Sequence, residues 1–224
     1  MSNTYAQKSY NSNFNVFYTF KDGFQNIKGV KFLFLSSFSL FFLINFSFQN
    51  ILFNFFPLTP SIQGVIFQEL LVIATYPIIM PILVGIIMLA IKNSRGEDLK
   101  IKSIFGYYHL TWKLTLAALL IKVITLVGFL FFIIPGIYFS VAYAFTLPLI
   151  VDKGFGVWEA MEVSRKTVSK HWFKFFGFFF LSSLIIAIGA IPLGIGLIWF
   201  IPLFFVTTYG LLYPLVFDEV PNSI

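Results

Sequence analysis

The chain contains no cysteine, and only 11% of its 224 residues are charged. The first absence excludes disulfides, thiolate metal sites and cysteine nucleophiles together. The second leaves too little polar surface to coat a soluble globule, since 58% of the residues are hydrophobic; a bilayer is the natural solvent for this composition. Acidic residues are scarcer than basic ones, 9 against 15. The excess cations sit beside apolar runs rather than on a soluble domain, so anionic lipid headgroups, and not nucleic acid, are the expected partners. No short apolar core with a small-residue cleavage site follows the polar stretch Met1 to Asn13. The first apolar run, beginning near Val30, is therefore expected to stay in the membrane as an uncleaved anchor. Nucleotide loops, serine elbows and zincin motifs are missing too. The two histidines, His109 and His171, fall on different segments without clustered carboxylates. No catalytic residue, cofactor or metal site is expected, and the chain does not read as an enzyme.

What is present is a series of apolar runs. A spanning helix needs about 20 mostly apolar residues, and about six runs of that kind form three hairpins. They cover Val30 to Phe56, Val65 to Ile91, Leu114 to Ile134, Pro135 to Val151, Phe175 to Ile191 and Gly196 to Phe217. The expected fold is all-α, a polytopic membrane bundle, with residues 1–29 as a cytoplasmic N-terminal segment and residues 30–224 as a single transmembrane domain. The fourth run is short: from Gly136 to Val151 it reaches roughly 24 Å as a helix. Either the bilayer thins there or the Ile134-Pro135-Gly136 turn sits below the surface. A re-entrant loop from Val123 to Val151 is the rival arrangement, and it leaves both ends on the same side.

Charge sets the orientation. Lys8, Lys21, Lys28 and Lys31 precede or open the first run; Lys92, Arg95, Lys100, Lys102 and Lys113 lie between the second and third; Lys153, Arg165, Lys166, Lys170 and Lys174 lie between the fourth and fifth. The opposite connections, at Pro57 to Gly64, around Pro135-Gly136 and at Pro192 to Gly196, have no Lys or Arg. The positive-inside rule then puts both termini in the cytoplasm.

Each hairpin is led by a segment that reads as an amphipathic helix on the cytoplasmic surface. In the third segment Trp158, Met161, Val168, Trp172 and Phe175 share an arc, with Glu159, Glu162, Lys166, Lys170 and Lys174 on the other side. Glu162 and Lys166 form an i, i+4 pair in the favourable order. In the second segment Ile101, Ile104, Phe105, Tyr108 and Trp112 share a face. The first, with Phe17, Phe20, Phe24 and Ile27, is interrupted by Gly23. Lys100, Lys102, Lys166, Lys170 and Lys174 are the candidate contacts to lipid headgroups. An echo between Phe32–Phe38 and Phe178–Leu184 suggests a repeated unit.

Inside a bilayer, helices associate through small residues and interhelical hydrogen bonds. Ser36, Ser39, Ser47, Asn50 and Asn54 project within about 80° of one another on a helical wheel, as a packing face or the wall of a polar conduit. Ala74, Pro77, Pro81 and Gly85, and again Ser183, Ala187, Ala190 and Gly194, form further small-residue faces. Pro77, Pro81 and Pro202 are expected to bend their helices. Lys122 is the sharpest candidate site, because a charge within hydrocarbon marks either a function or a buried partner. It shares a face with Thr111, Thr115, Ala118 and Thr125, so Lys122, Thr115 and Thr125 make up a candidate intramembrane polar site. The competing reading is that Lys122 snorkels to the cytoplasmic headgroups, with Glu69 at the outer interface and not paired with it.

The stretch Phe131 to Tyr138, with its Pro135-Gly136-Ile137 turn, followed by Leu147-Pro148-Leu149-Ile150-Val151-Asp152-Lys153-Gly154 and by Trp158-Glu159-Ala160-Met161 through Ser164 to His171-Trp172, resembles the YciC-like group of bacterial inner-membrane proteins. Arg95-Gly96-Glu97 leading into Ile104-Phe105-Gly106 resembles the connection before that group's third span. Related segments resemble the membrane domain preceding some glycerophosphodiester phosphodiesterases, whose catalytic domain has no counterpart here. The resemblance covers roughly Arg95 to Phe180 and implies a bacterial inner-membrane location and a six-span plan, without catalytic residues. The expected function is a non-catalytic membrane component that organises lipid or a membrane-protein partner; the alternative is a small transporter or channel using the polar face around Lys122.

Overall fold

The computed structural model describes residues 19, 21–23, 30–56, 61–191 and 196–219. The surface helix expected from Phe17, Phe20, Phe24 and Ile27 lies outside the described residues, as does most of the segment 1–29. Every element among the described residues is helical, and six stretches are long and apolar enough to cross a membrane: Lys31–Phe55, Tyr76–Ser94, Ile101–Phe131, Ile133–Asp152, Trp172–Ala190 and Leu197–Phe217. The chain is a polytopic helical bundle.

The individual helices are α1 (Lys31–Phe55), α2 (Ile62–Ala74), α3 (Tyr76–Ser94), α4 (Thr111–Phe131), α5 (Ile133–Ala142), α6 (Thr146–Asp152), α7 (Val157–Lys170), α8 (Trp172–Ala190), α9 (Leu197–Phe205) and α10 (Tyr213–Phe217). A 3-10 stretch, Ile101–Leu110, leads into α4, and a π-helical stretch, Val206–Leu212, joins α9 to α10.

The second apolar run is two helices. It breaks at Thr75 because Pro77 has no N–H to continue the ladder and restricts Tyr76 before it; Thr75 closes α2 by donating its hydroxyl to Val72 O at 2.7 Å, and Pro77 then occupies the first turn of α3, where no donor is needed. Pro81 and Pro202 lie inside helices, and the π-helical stretch begins just after Pro202.

The axis of the bundle is α3, in which every residue from Val84 to Ile91 is buried. Small residues put it there. A Cβ on Gly85 would stand 2.3 Å from the Ile104 carbonyl oxygen, and one on Gly210 would stand 2.9 Å from Ala90 O. Both the 3-10 stretch and the π-helical stretch therefore touch α3 backbone to backbone, the close approach on which helix association in lipid depends. Two cores result. One centres on Phe145, whose ring lies 5.3 Å from that of Phe217 and 5.8 Å from that of Phe175; the other joins Phe34 and Phe38 of α1 to Ile82, Ile86, Ile104, Leu203 and Val206.

Helices α4 and α5 form a tight antiparallel hairpin that turns at Phe132, not at Pro135-Gly136. Pro135 sits in the first turn of α5, and Gly136 serves packing: its Cβ would collide with the Phe129 ring at 2.3 Å, and one on Gly128 would meet the Gly136 backbone at 3.0 Å. The fourth run is bent at Tyr143–Phe145 into α5 and α6. Gly154 follows α6 with φ +75°, and Gly96 follows α3 with φ +72°, the left-handed conformation in which glycine ends a helix.

Several expected faces are placed differently. In α8 the buried side chains are Phe175, Phe178, Ser182 and Gly189, while Ser183, Ala187 and Ala190 are exposed; the ring-filled neighbour Phe145 selects the aromatic face over the small one. Of the α2–α3 set only Pro81 and Gly85 are buried. The echo between Phe32–Phe38 and Phe178–Leu184 is not a structural repeat. Phe34, Ser37 and Phe38 face inward, whereas their counterparts Phe180, Ser183 and Leu184 face outward.

Candidate functional site

Lys122 lies halfway along α4, and its side chain runs toward α2, not back to the cation-rich end of the bundle. Its Nζ donates to Glu69 Oε2 at 2.5 Å and stands 6.0 Å from the centroid of the Tyr76 ring. The expectation that Lys122 snorkels while Glu69 stays unpaired is therefore overturned: Glu69, on the short helix α2 that ends at the Thr75 break, reaches α4. A cation and a carboxylate in a medium of low dielectric attract strongly when no water separates them, which explains why each is tolerated in an apolar run.

The pair overlooks a groove of about 540 Å³ between α3, α4 and α5. Its walls are mainly apolar, from Met80, Leu83, Ile121, Leu126 and Leu147, and its polar groups are Tyr76, Lys122, Thr125, Ser140 and Tyr143. The Thr125 hydroxyl is buried and has no hydrogen-bond partner among the described residues; Ser140 donates to Ile137 O at 2.8 Å. Thr115, expected beside Lys122, is instead one of the buried residues of α4, outside the groove lining, and its hydroxyl likewise has no partner among the described residues. The candidate polar site is thus Lys122 and Thr125 with Glu69, while Thr115 belongs to the core.

A second constellation joins three chain segments at one end of the bundle. Arg95, just past α3, donates to Asp152 through both guanidinium arms, Nη1 to Oδ1 at 2.6 Å and Nη2 to Oδ2 at 2.9 Å, and Nη2 also reaches Asp218 Oδ1 at 2.6 Å. Tyr213 donates its hydroxyl to Asp152 Oδ2 at 2.9 Å, and Lys153 donates to the Asp218 carbonyl at 3.2 Å. The Asp152 carboxylate beside it raises the Arg95 guanidinium above its ordinary value, so it stays charged at any accessible pH. A planar guanidinium can serve two carboxylates in this fork geometry, as an ammonium cannot.

The amphipathic segment α7 follows directly. Ala160, Met161, Ser164 and Val168 are buried against the protein itself, and Ser164 donates to Ala142 O at 2.7 Å. The apolar arc expected to dip into lipid is used inside the bundle, except that Trp158 at its start is 69% exposed. The face left outward is charged. Glu162 holds Arg165 at 2.9 Å and Lys166 at 3.1 Å, and these cations, Arg165 first, keep its carboxyl below the usual range. Lys166 and Lys170 are exposed, Lys174 is half-buried at the start of α8, and Lys100, just before the 3-10 stretch, and Lys102, in its first turn, are exposed. In that stretch Ile104 is buried and Tyr108 donates to Ile78 O at 3.1 Å, whereas Trp112 is 77% exposed.

His109 bonds the Gly106 carbonyl at 2.9 Å through Nδ1, and among the described residues no three His, Asp or Glu side chains are grouped as metal ligands. No family model, curated protein or solved structure matches this chain.

Proposed function

We propose that the chain is a non-catalytic component of a bacterial inner membrane, akin to the YciC-like group it resembles, with both termini cytoplasmic, that gathers anionic lipid at its cation-rich end. One observation carries this reading: α7 commits its apolar residues to the protein's own core and leaves Lys166 and Lys170 exposed. A helix fixed in that way presents cations at a set position and has no free apolar face for a second role. Juxtamembrane lysines attract anionic headgroups with about 1 kcal/mol each, so Lys100, Lys102, Lys166, Lys170 and Lys174 together supply a strong preference. The groove beside Lys122, with its apolar walls, suits part of an acyl chain.

The test uses the full chain extracted directly into native nanodiscs, with retained lipid identified by mass spectrometry. Anionic lipid should be enriched over the surrounding membrane, and the Lys166→Gln, Lys170→Gln, Lys174→Gln variant should lose that enrichment by about tenfold or more at low salt. Retained lipid matching the bulk membrane in both proteins overturns the reading. The Lys122–Glu69 pair on the groove favours a second reading, a small transporter. That reading requires Lys122→Leu to abolish substrate flux in proteoliposomes while leaving lipid retention intact.

A further inference from the structure

Most of the polar stripe of α1 faces away from the chain's own bundle, although Ser39 borders a small pocket against Leu197, Ile198 and Pro202 of α9. Ser36, Ser39, Ser47, Asn50 and Asn54 are all exposed, while the buried residues of this helix are Phe34, Ser37 and Phe38. At 100° per residue Phe34 and Phe38 stand on the opposite side from the stripe. The helix packs against α3, the 3-10 stretch and α9; its buried residues end at Phe38, and beyond it Phe41 and Ile44 reach the core only partly buried. The second half carries Ser47, Asn50 and Asn54 on the stripe, while the half-buried Asn45 and Gln49 lie on the opposite side of the helix.

Hydrocarbon cannot satisfy these groups, and an amide left without a partner in an apolar medium costs several kcal/mol. Local bonds cover only part of the need. Asn50 Nδ2 donates to Phe46 O at 2.8 Å and Asn54 Nδ2 to Asn50 O at 2.9 Å. Each of these amides keeps a second N–H and its carbonyl oxygen for a partner beyond these local bonds.

We propose that a second copy of this chain covers the stripe, pairing α1 with α1 about a two-fold axis along the membrane normal. The membrane forces both copies into the same orientation, so such an axis sets each residue opposite its own counterpart. Only a side chain that both donates and accepts can satisfy its own image, and Ser and Asn do so. No Lys, Arg, Asp or Glu lies on the stripe to repel itself, and Lys31, at the start of the helix, is turned aside over the Trp199 ring at 5.1 Å. The spacing Ser47, Asn50, Asn54 keeps the groups on one helical seam, as paired helices need.

The absence of cysteine makes the test direct. Single cysteines at Ser47, Asn50 and Asn54 are compared, in native membranes under mild oxidation, with cysteines at Phe48 and Leu52 on the other side. Disulfide-linked dimer should form at the three stripe positions and at Phe48 and Leu52 only at background. In lipid-dilution FRET the Asn50→Leu, Asn54→Leu variant of the full chain should dimerise about tenfold more weakly, ~1.4 kcal/mol. Its thermal unfolding should not fall, which separates lost pairing from lost folding. Even cross-linking around the helix, a monomer at every lipid dilution, or stripe cross-links formed only to a different polypeptide overturns the proposal.

Discussion

Arg95 ties the end of α3 to the end of α6 and to the end of α10 with one side chain. The Asp152 side chain is only 7% exposed, so removing the guanidinium strands a nearly buried carboxylate, and a broken pair of this type costs about 3 kcal/mol. Thermal unfolding of Arg95→Ala in detergent should show that loss. Arg95→Lys should recover little of it, because an ammonium cannot bridge both Asp152 oxygens and Asp218, whereas Arg95→Met with Asp152→Asn should recover most. Equal melting of all three variants would deny the cluster its role as a clasp. The Lys122–Glu69 pair is more open, at 36% and 57% side-chain exposure, and its contribution is correspondingly smaller. Glu69→Gln alone should destabilise by ~1 kcal/mol and the double variant Glu69→Gln, Lys122→Met by less, since the lone cation is the costly species; additive losses would show that the two charges do not interact. At this scale the sequence marks which residues are anomalous and not whom they meet. Lys122 stands out in an apolar run, but its partner depends on where the break at Thr75 sets α2. Nothing local in Asp218, a charge at a span's end, distinguishes it from a solvated residue.

Helical elements follow from apolar runs, Pro placement and glycine stops, and there the sequence reading and the structure agree on six spanning stretches and their order, while the second starts at Tyr76 instead of Val65 and the third at Ile101 instead of Leu114. Inward faces are harder to read, because nearly every side of these helices is apolar and periodicity has little contrast. Helix α7 is the exception: with charges on one side its face is unambiguous, yet whether lipid or protein covers that face depends on α5 and α6 bending over it. The glycines show the same limit. Gly85 and Gly177 look alike in sequence, both within apolar helices, but a Cβ on Gly85 runs into the Ile104 backbone whereas nothing lies within 4 Å of one on Gly177. Gly177→Ala should therefore stabilise by about 0.5–1 kcal/mol through helix propensity. Gly85→Ala should destabilise by about 2 kcal/mol or more, since the 3-10 stretch must move off α3. Detergent melting curves of the two variants decide the point, and a fall for both would mean that α8 packs at Gly177.

For the whole molecule, the Arg95 cluster has a topological consequence. It brings to one end of the bundle the residues that follow the second, fourth and sixth spanning stretches, which requires those three to run in the same sense and the third and fifth to return. Charge counting reaches that alternation independently, from the absence of Lys and Arg in the opposite connections. Side-chain geometry at Arg95 and the distribution of cations along the chain thus give the same alternation. It fixes which connections share a side, while the direction in the cell rests on the cations alone. Reporters inserted after Gln63 and after Pro192 should both be active only outside the cytoplasm, and a reporter fused after Asp218 only within it. If Gln63 and Asp218 reported the same side, either the chain would not cross the membrane between Gln63 and Arg95 or the Arg95 ties would be wrong. If all three reported the inverse orientation, the bundle would stand and the lipid-gathering proposal would fail, because its lysines would then face away from the anionic cytoplasmic leaflet.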